Sequence, residues 1–121
     1  MSNIYEKIYN KLNKIGVLKV ESNIHLKSSG FMDLVVERLG DNHYSLTHYY
    51  EMNGDLCPDP DMEVRVFPDT KMAEALSFQD VYGYRRVYYD EEVDLKAKKE
   101  LNDFLNFWLN NLINQGFSIK K

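Results

Sequence analysis

Apolar residues recur at helical spacing at both ends of this chain and at strand spacing between them, an order that few folds satisfy. Leu95 to Asn114 carries the strongest helical signal. Leu101, Phe104, Leu105, Trp108, Leu109, Leu112 and Ile113 fall on one wide stripe. Asp94 stands where a side-chain cap is wanted, and Gly116 where a left-handed terminator is wanted. The acidic run Asp90 to Asp94 leads in, suited to the positive end of that helix. At the other end, Asn3 to Ile15 repeats Ile4, Ile8, Leu12 and Ile15 along one face, widened by Tyr5 and Tyr9. Asn3 and Glu6 have capping-box spacing, and Gly16 closes the segment. The tail from Phe117 to Lys121 follows the terminator and is expected to fray.

Between the helices the period drops to two. Phe31 to Leu39 places Met32, Leu34 and Val36 on one face and Asp33, Val35 and Glu37 on the other. Gly40-Asp41-Asn42 reads as a turn. His43 to Met52 then puts Tyr44, Leu46, His48, Tyr50 and Met52 on the more apolar side, which is expected to face the core. His48 reads there as a hydrogen-bonded structural residue, and neither His43 nor His25 has a partner at catalytic spacing. Val17 to Ser29 is ambiguous between one short strand and an extended connection. Asn53-Gly54 is a turn dipeptide, and Asp55 to Asp61, with Pro58 and Pro60, reads as a stiff surface loop.

Met62 to Phe67 and Met72 to Phe78 flank a turn around Asp69-Thr70. A tight connection pairs Phe67 with Met72, Val66 with Ala73, Arg65 with Glu74 and Val64 with Ala75. Val64, Val66, Ala73 and Ala75 then form a thin face that a helix can approach closely. Arg65 and Glu74 form an opposite-charge pair on the other face. Val81 to Tyr89 reads as a last strand, with Gly83 a bulge or close-approach point. The fold class expected is α+β: an antiparallel, meander-like sheet of about five strands with an N-terminal and a C-terminal helix on one face.

Length and charge narrow the function classes. At 121 residues the chain is expected to form one domain, residues 1–121. Its net charge of -4 disfavours a nucleic-acid partner. Acids concentrate in Glu51 to Asp69, where Glu51, Asp55, Asp59, Asp61, Glu63 and Asp69 face Arg65 alone. A single Cys, Cys57, excludes an intramolecular disulfide, and its acidic neighbours make a poor setting for a reactive thiolate. The start has no apolar leader and no stretch suits a membrane span, so a cytoplasmic protein with no membrane contact is expected.

The runs Tyr49-Tyr50, Asn53-Gly54-Asp55, Pro58-Asp59-Pro60-Asp61-Met62, Val64-Arg65, Asp69 and Met72-Ala73-Glu74-Ala75 carry a family likeness. From Phe31 to about Trp108 the chain resembles a group of short bacterial proteins classed as domains of unknown function. Such proteins are encoded in chromosomes, conjugative elements and phages. The resemblance implies a small soluble cytoplasmic protein, carried as cargo by mobile elements, and it supplies no reaction, cofactor or catalytic residue.

Three chemistries compete for the remaining residues. Asp59, Asp61 and Glu63, two apart in extended chain, project to one side and could serve a divalent cation in a small metal-dependent enzyme. Tyr82, Tyr84, Arg85, Arg86, Tyr88 and Tyr89 interleave rings with guanidinium groups, as single-strand nucleic-acid binders do. Tyr and Arg are also enriched where proteins meet. No nucleophile elbow, HExxH or phosphate loop occurs, so no catalytic residue, metal or cofactor is assigned. The reading adopted is a non-enzymatic accessory or regulatory protein that binds another protein. Its candidate surface comprises Asn53, Asp55, Asp59, Asp61, Arg65, Glu74, Tyr84 and Arg86.

Overall fold

A computed structural model describes residues 3–119, without the side chains of residues 50–52 and 56–58. Helix α1 spans Ile4–Ile15 and helix α2 spans Leu95–Asn114. Between them run β1 Asn23–Leu26, β2 Asp33–Gly40, β3 His43–Met52, β4 Asp55–Phe67, β5 Met72–Asp80 and β6 Gly83–Arg86. These six pair antiparallel in chain order as one meander, one strand more than the approximate count from sequence. A small hairpin, β7 Tyr88–Tyr89 with β8 Glu92–Val93, leads into α2.

The helix ends follow from the residues that mark them. Asn3 accepts the Glu6 N–H and the Glu6 carboxylate accepts the Asn3 N–H, closing the capping box. Asp94 accepts the Ala97 N–H at 2.9 Å. Gly16 ends α1 with φ 102°, and a side chain there would also run into Ile119.

The sheet's two faces differ by a simple alternation. Leu34, Val36, Tyr44, Leu46, Met62, Val64, Val66, Ala73 and Ala75 are buried with Ile8, Leu12, Leu105, Leu109 and Leu112 of the helices. The tight pairing of β4 with β5 is the one expected: Phe67 with Met72, Arg65 with Glu74, Val66 with Ala73 and Val64 with Ala75. The alanines let α2 come close enough for Asn102 Oδ1 to accept the Ala75 N–H at 2.8 Å. Asn102 Nδ2 donates in turn to the Lys98 carbonyl at 2.7 Å, so both ends of a buried amide are satisfied. His48 is buried as expected, with Nδ1 3.0 Å from the Asp33 carbonyl and its ring against Trp108 and Phe117.

Several expectations are corrected. Asp55 to Asp61 is not a loop but the first half of β4. The prolines read as loop formers, yet β5 pairs only with Asp61 to Phe67, so Pro58 and Pro60 lie where β4 has β3 as its sole neighbour. A missing amide donor is tolerated at such an edge. Pro60 also falls at a register shift opposite His48. The segment left ambiguous forms a 3₁₀ turn at Val17–Lys19 and then edge strand β1. Met32 precedes β2 and is exposed instead of facing the core.

The last predicted strand, Val81 to Tyr89, is broken twice. Val81 and Tyr82 form the turn between β5 and β6, where Asp80 accepts the Tyr82 and Gly83 N–H groups. Val87 is buried, its N–H donating to the Leu76 carbonyl, and the chain bends into the β7–β8 hairpin. The acidic lead-in to α2 is therefore partly strand β8. The tail is docked through residue 119: Phe117 is buried and the Ile119 N–H donates to the Ile15 carbonyl at 2.7 Å. The expectations for Tyr50 and Met52 on the core face, for the Cys57 thiol, and for Lys120 and Lys121 lie outside the described residues.

Candidate functional site

With helices on one face of the sheet, the alternate residues of β3 to β6 form an open face. Strand registers set them in rows. Ser45, Glu63, Ser77 and Arg86 make one row, Thr47, Asp61, Gln79 and Tyr84 a second, and His43, Arg65 and Glu74 a third. An extra residue in β5, Leu76, produces a shift between the pairs Glu63–Ser77 and Val64–Ala75. This bulge, with Tyr88 of β7 beyond it, borders a concavity of about 210 Å³. Glu63, Arg65, Ser77, Tyr84 and Arg86 complete its lining.

Three acids on this side are held by neighbours. His43 Nε2 lies 2.8 Å from Glu63 Oε1. The Thr47 hydroxyl donates to Asp61 Oδ1 at 2.9 Å. Burial lifts the Asp61 carboxyl above its ordinary value; the Thr47 bond opposes this, while nearby Glu63 and Glu37 add to it. Further along, His25 Nε2 lies 2.9 Å from Asp33 Oδ2. The arginines differ. Among the described residues neither Arg65 nor Arg86 forms an ion pair, and the Arg86 guanidinium lies 4.5 Å from the centre of the Tyr89 ring.

Seven of the eight residues singled out from sequence divide into three groups. Arg65, Tyr84 and Arg86 are brought together in the concavity, and Asp61 stands in the adjoining row. Asn53, with φ 52°, and Asp55 lie at the β3–β4 turn. Ten residues of strand separate Asp55 from Arg65, roughly 30 Å at strand rise, so these ends share no single site. Asp59 is half-buried between them at the register shift.

Glu74 is corrected outright. It pairs with Arg65 in register, but the residue is buried at 8 % exposure and its carboxylate turns to other partners. The Tyr88 hydroxyl donates to it at 2.7 and 3.0 Å, and Lys98 Nζ stands 3.8 Å away. Lys98 also lies over the rings of Tyr5 and Tyr88. Burial first, and then Glu74, raise the Tyr88 phenol. Burial works to lower the Lys98 ammonium, and Tyr88, Tyr5 and Glu74 outweigh it, leaving it above its ordinary value. The cluster fastens β5, β7, α1 and α2 together beside a cavity of about 150 Å³. Lys98 already supplies the cation that such a carboxylate and rings would recruit.

The rival chemistries find different surroundings. Among the described residues no three His, Cys, Asp or Glu side chains converge as metal ligands. Asp61 and Glu63 are instead spent on Thr47 and His43. The Tyr–Arg run does not form one platform: Arg86 faces the open side, whereas Arg85 pairs with Glu100 of α2 at 3.0 Å. The histidine pairs were missed from sequence. His43 meets Glu63 diagonally across β3 and β4, and His25 meets Asp33 across β1 and β2, so both depend on register between strands. No helix among the described residues is long and apolar enough to cross a membrane.

No curated protein and no solved structure matches the chain. A family model covers residues 3–118, from the α1 cap through the docked tail, and the chain belongs to that family, Domain of unknown function (DUF6908).

Proposed function

We propose that this chain is a non-enzymatic accessory or regulatory protein that binds another protein through the open face of its sheet. One observation carries the reading: Arg65 of β4 and Tyr84 and Arg86 of β6 converge on a concavity whose lining includes no helix residue. Arg and Tyr are the residue types that anchor protein contacts, because each offers a large rigid surface together with hydrogen-bond donors. Asp61, in the adjoining row, extends that face along β4, and Asp59 follows it at the register shift. The resemblance to short proteins of conjugative elements and phages extends the proposal to a cytoplasmic role in the service of a mobile element. Affinity purification from the native host, with the full chain as bait, tests it. Wild type should recover one dominant protein, and Tyr84→Ala should lose it while melting at the same temperature. Equal recovery by the variant would overturn this choice of face.

A further inference from the structure

We infer that the concavity receives a carboxylate side chain from an acidic segment of the partner, held between Arg65 and Arg86. This rests on the reading that the open face is the binding face, and it names the chemistry recognised there.

Charge selects the occupant. The acids nearest the concavity already have neighbours: Glu63 has His43, Asp61 has Thr47, and Glu74 has Tyr88 and Lys98. Arg65 and Arg86 have no carboxylate among the described residues. The Tyr89 ring offers the Arg86 guanidinium no oxygen acceptor, so the contact leaves its N–H groups available. A carboxylate accepts two parallel bonds from such a fork, a geometry that a neutral amide or a lone hydroxyl cannot match. The Ser77 hydroxyl adds polar lining and Leu76 gives the acid's methylene groups an apolar surface, inside about 210 Å³.

The same charges select against a polynucleotide. Its phosphates repeat at every step, and those beyond the two arginines would meet Glu63 and Asp61 on a chain of net charge -4. A peptide can place one or two acids at the arginines and neutral residues elsewhere.

Phage-displayed random short peptides, selected on the full-length wild type, provide the test. Selected peptides should be enriched in Asp or Glu. Synthetic copies should bind the Arg65→Gln/Arg86→Gln double variant at least about tenfold more weakly, a loss of about 1.4 kcal/mol. Their affinity should also fall as salt is added. A single-stranded oligonucleotide, titrated alongside, should bind more weakly than the peptides. Selected peptides without acids that still require Tyr84 would overturn the carboxylate and leave the face standing. Peptides indifferent to both the double variant and Tyr84→Ala would overturn the face as well, as would a selection that enriches nothing. Tighter binding of the oligonucleotide, lost in the double variant, would replace the acidic segment by nucleic acid.

Discussion

The two faces of strand β4 are built from consecutive residues and obey different rules. Met62, Val64 and Val66 are fully enclosed under the helices, and none presents a polar side-chain atom. Glu63 and Arg65, one position on, reach the opposite side and line a concavity. The enclosed face is held by apolar burial, about 1.5–3 kcal/mol for each large side chain, and it tolerates a polar group only when fully bonded. Asn102 is such a group. On the open face Thr47, Ser77 and Glu74 are still buried, whereas exposed residues such as Arg65 and Arg86 are free to be chosen for something other than packing. On the open face, the residues without internal partners are therefore the informative ones.

The largest effect should come from the enclosed side. Leu109 is fully buried in the core cluster, so Leu109→Ala should cost about 2–5 kcal/mol, through lost transfer energy and the cavity left behind. Urea unfolding gives the value directly. A cost below about 1 kcal/mol would mean that α2 is not locked against the sheet. Asn102→Ala comes next. It leaves the Ala75 N–H without its acceptor inside the protein, at about 1–3 kcal/mol. If the urea midpoint does not move, the close approach of α2 to the alanine face is wrong.

Much of the enclosed face was legible in the sequence. The Val64–Phe67 and Met72–Ala75 pairing could be written down because a tight connection and strict alternation leave one register. The caps at Asn3, Gly16 and Asp94 were legible for the same reason, each being a local rule. What failed depended on distant partners. Proline reads as a loop former until the shortness of β5 shows that Asp55 to Pro60 lies at a sheet edge. Phe117 and Ile119 carry no periodic signal, and only Ile15 and the core explain why the tail is docked. Of the candidate surface, alternation alone put Tyr84 and Arg86 on one side. It could not show that Glu74 turns to Tyr88, since that hydroxyl arrives from a hairpin read as continuous strand.

A smaller effect with a definite sign comes from Asp61. Its carboxyl titrates above the ordinary Asp value of 3.8, so between that value and its folded value the native state binds more protons than the unfolded chain. Stability contributed by Asp61 is therefore complete below the ordinary value and is lost as pH rises through the folded one. Asp61→Asn keeps an oxygen for the Thr47 hydroxyl and cannot ionise. The variant should melt higher than wild type at neutral pH, and the difference should close as pH falls below the usual Asp range. A gain that persists in acid would assign the effect to something other than this ionisation.

The smallest stability effect is expected where the binding effect is greatest. Arg65 and Arg86 are exposed and without ion pairs among the described residues, so the Arg65→Gln/Arg86→Gln double variant should unfold within about 1 kcal/mol of wild type. The main loss is the cation–π contact of Arg86 with the Tyr89 ring, worth about 0.5–1 kcal/mol at an exposed site. A large destabilisation would show that the guanidinium groups hold the β4–β6 region together, and the contrast between the two faces would then collapse into one structural network. An unchanged urea midpoint, alongside the loss of peptide binding, would separate the residues that fold this sheet from those that use it.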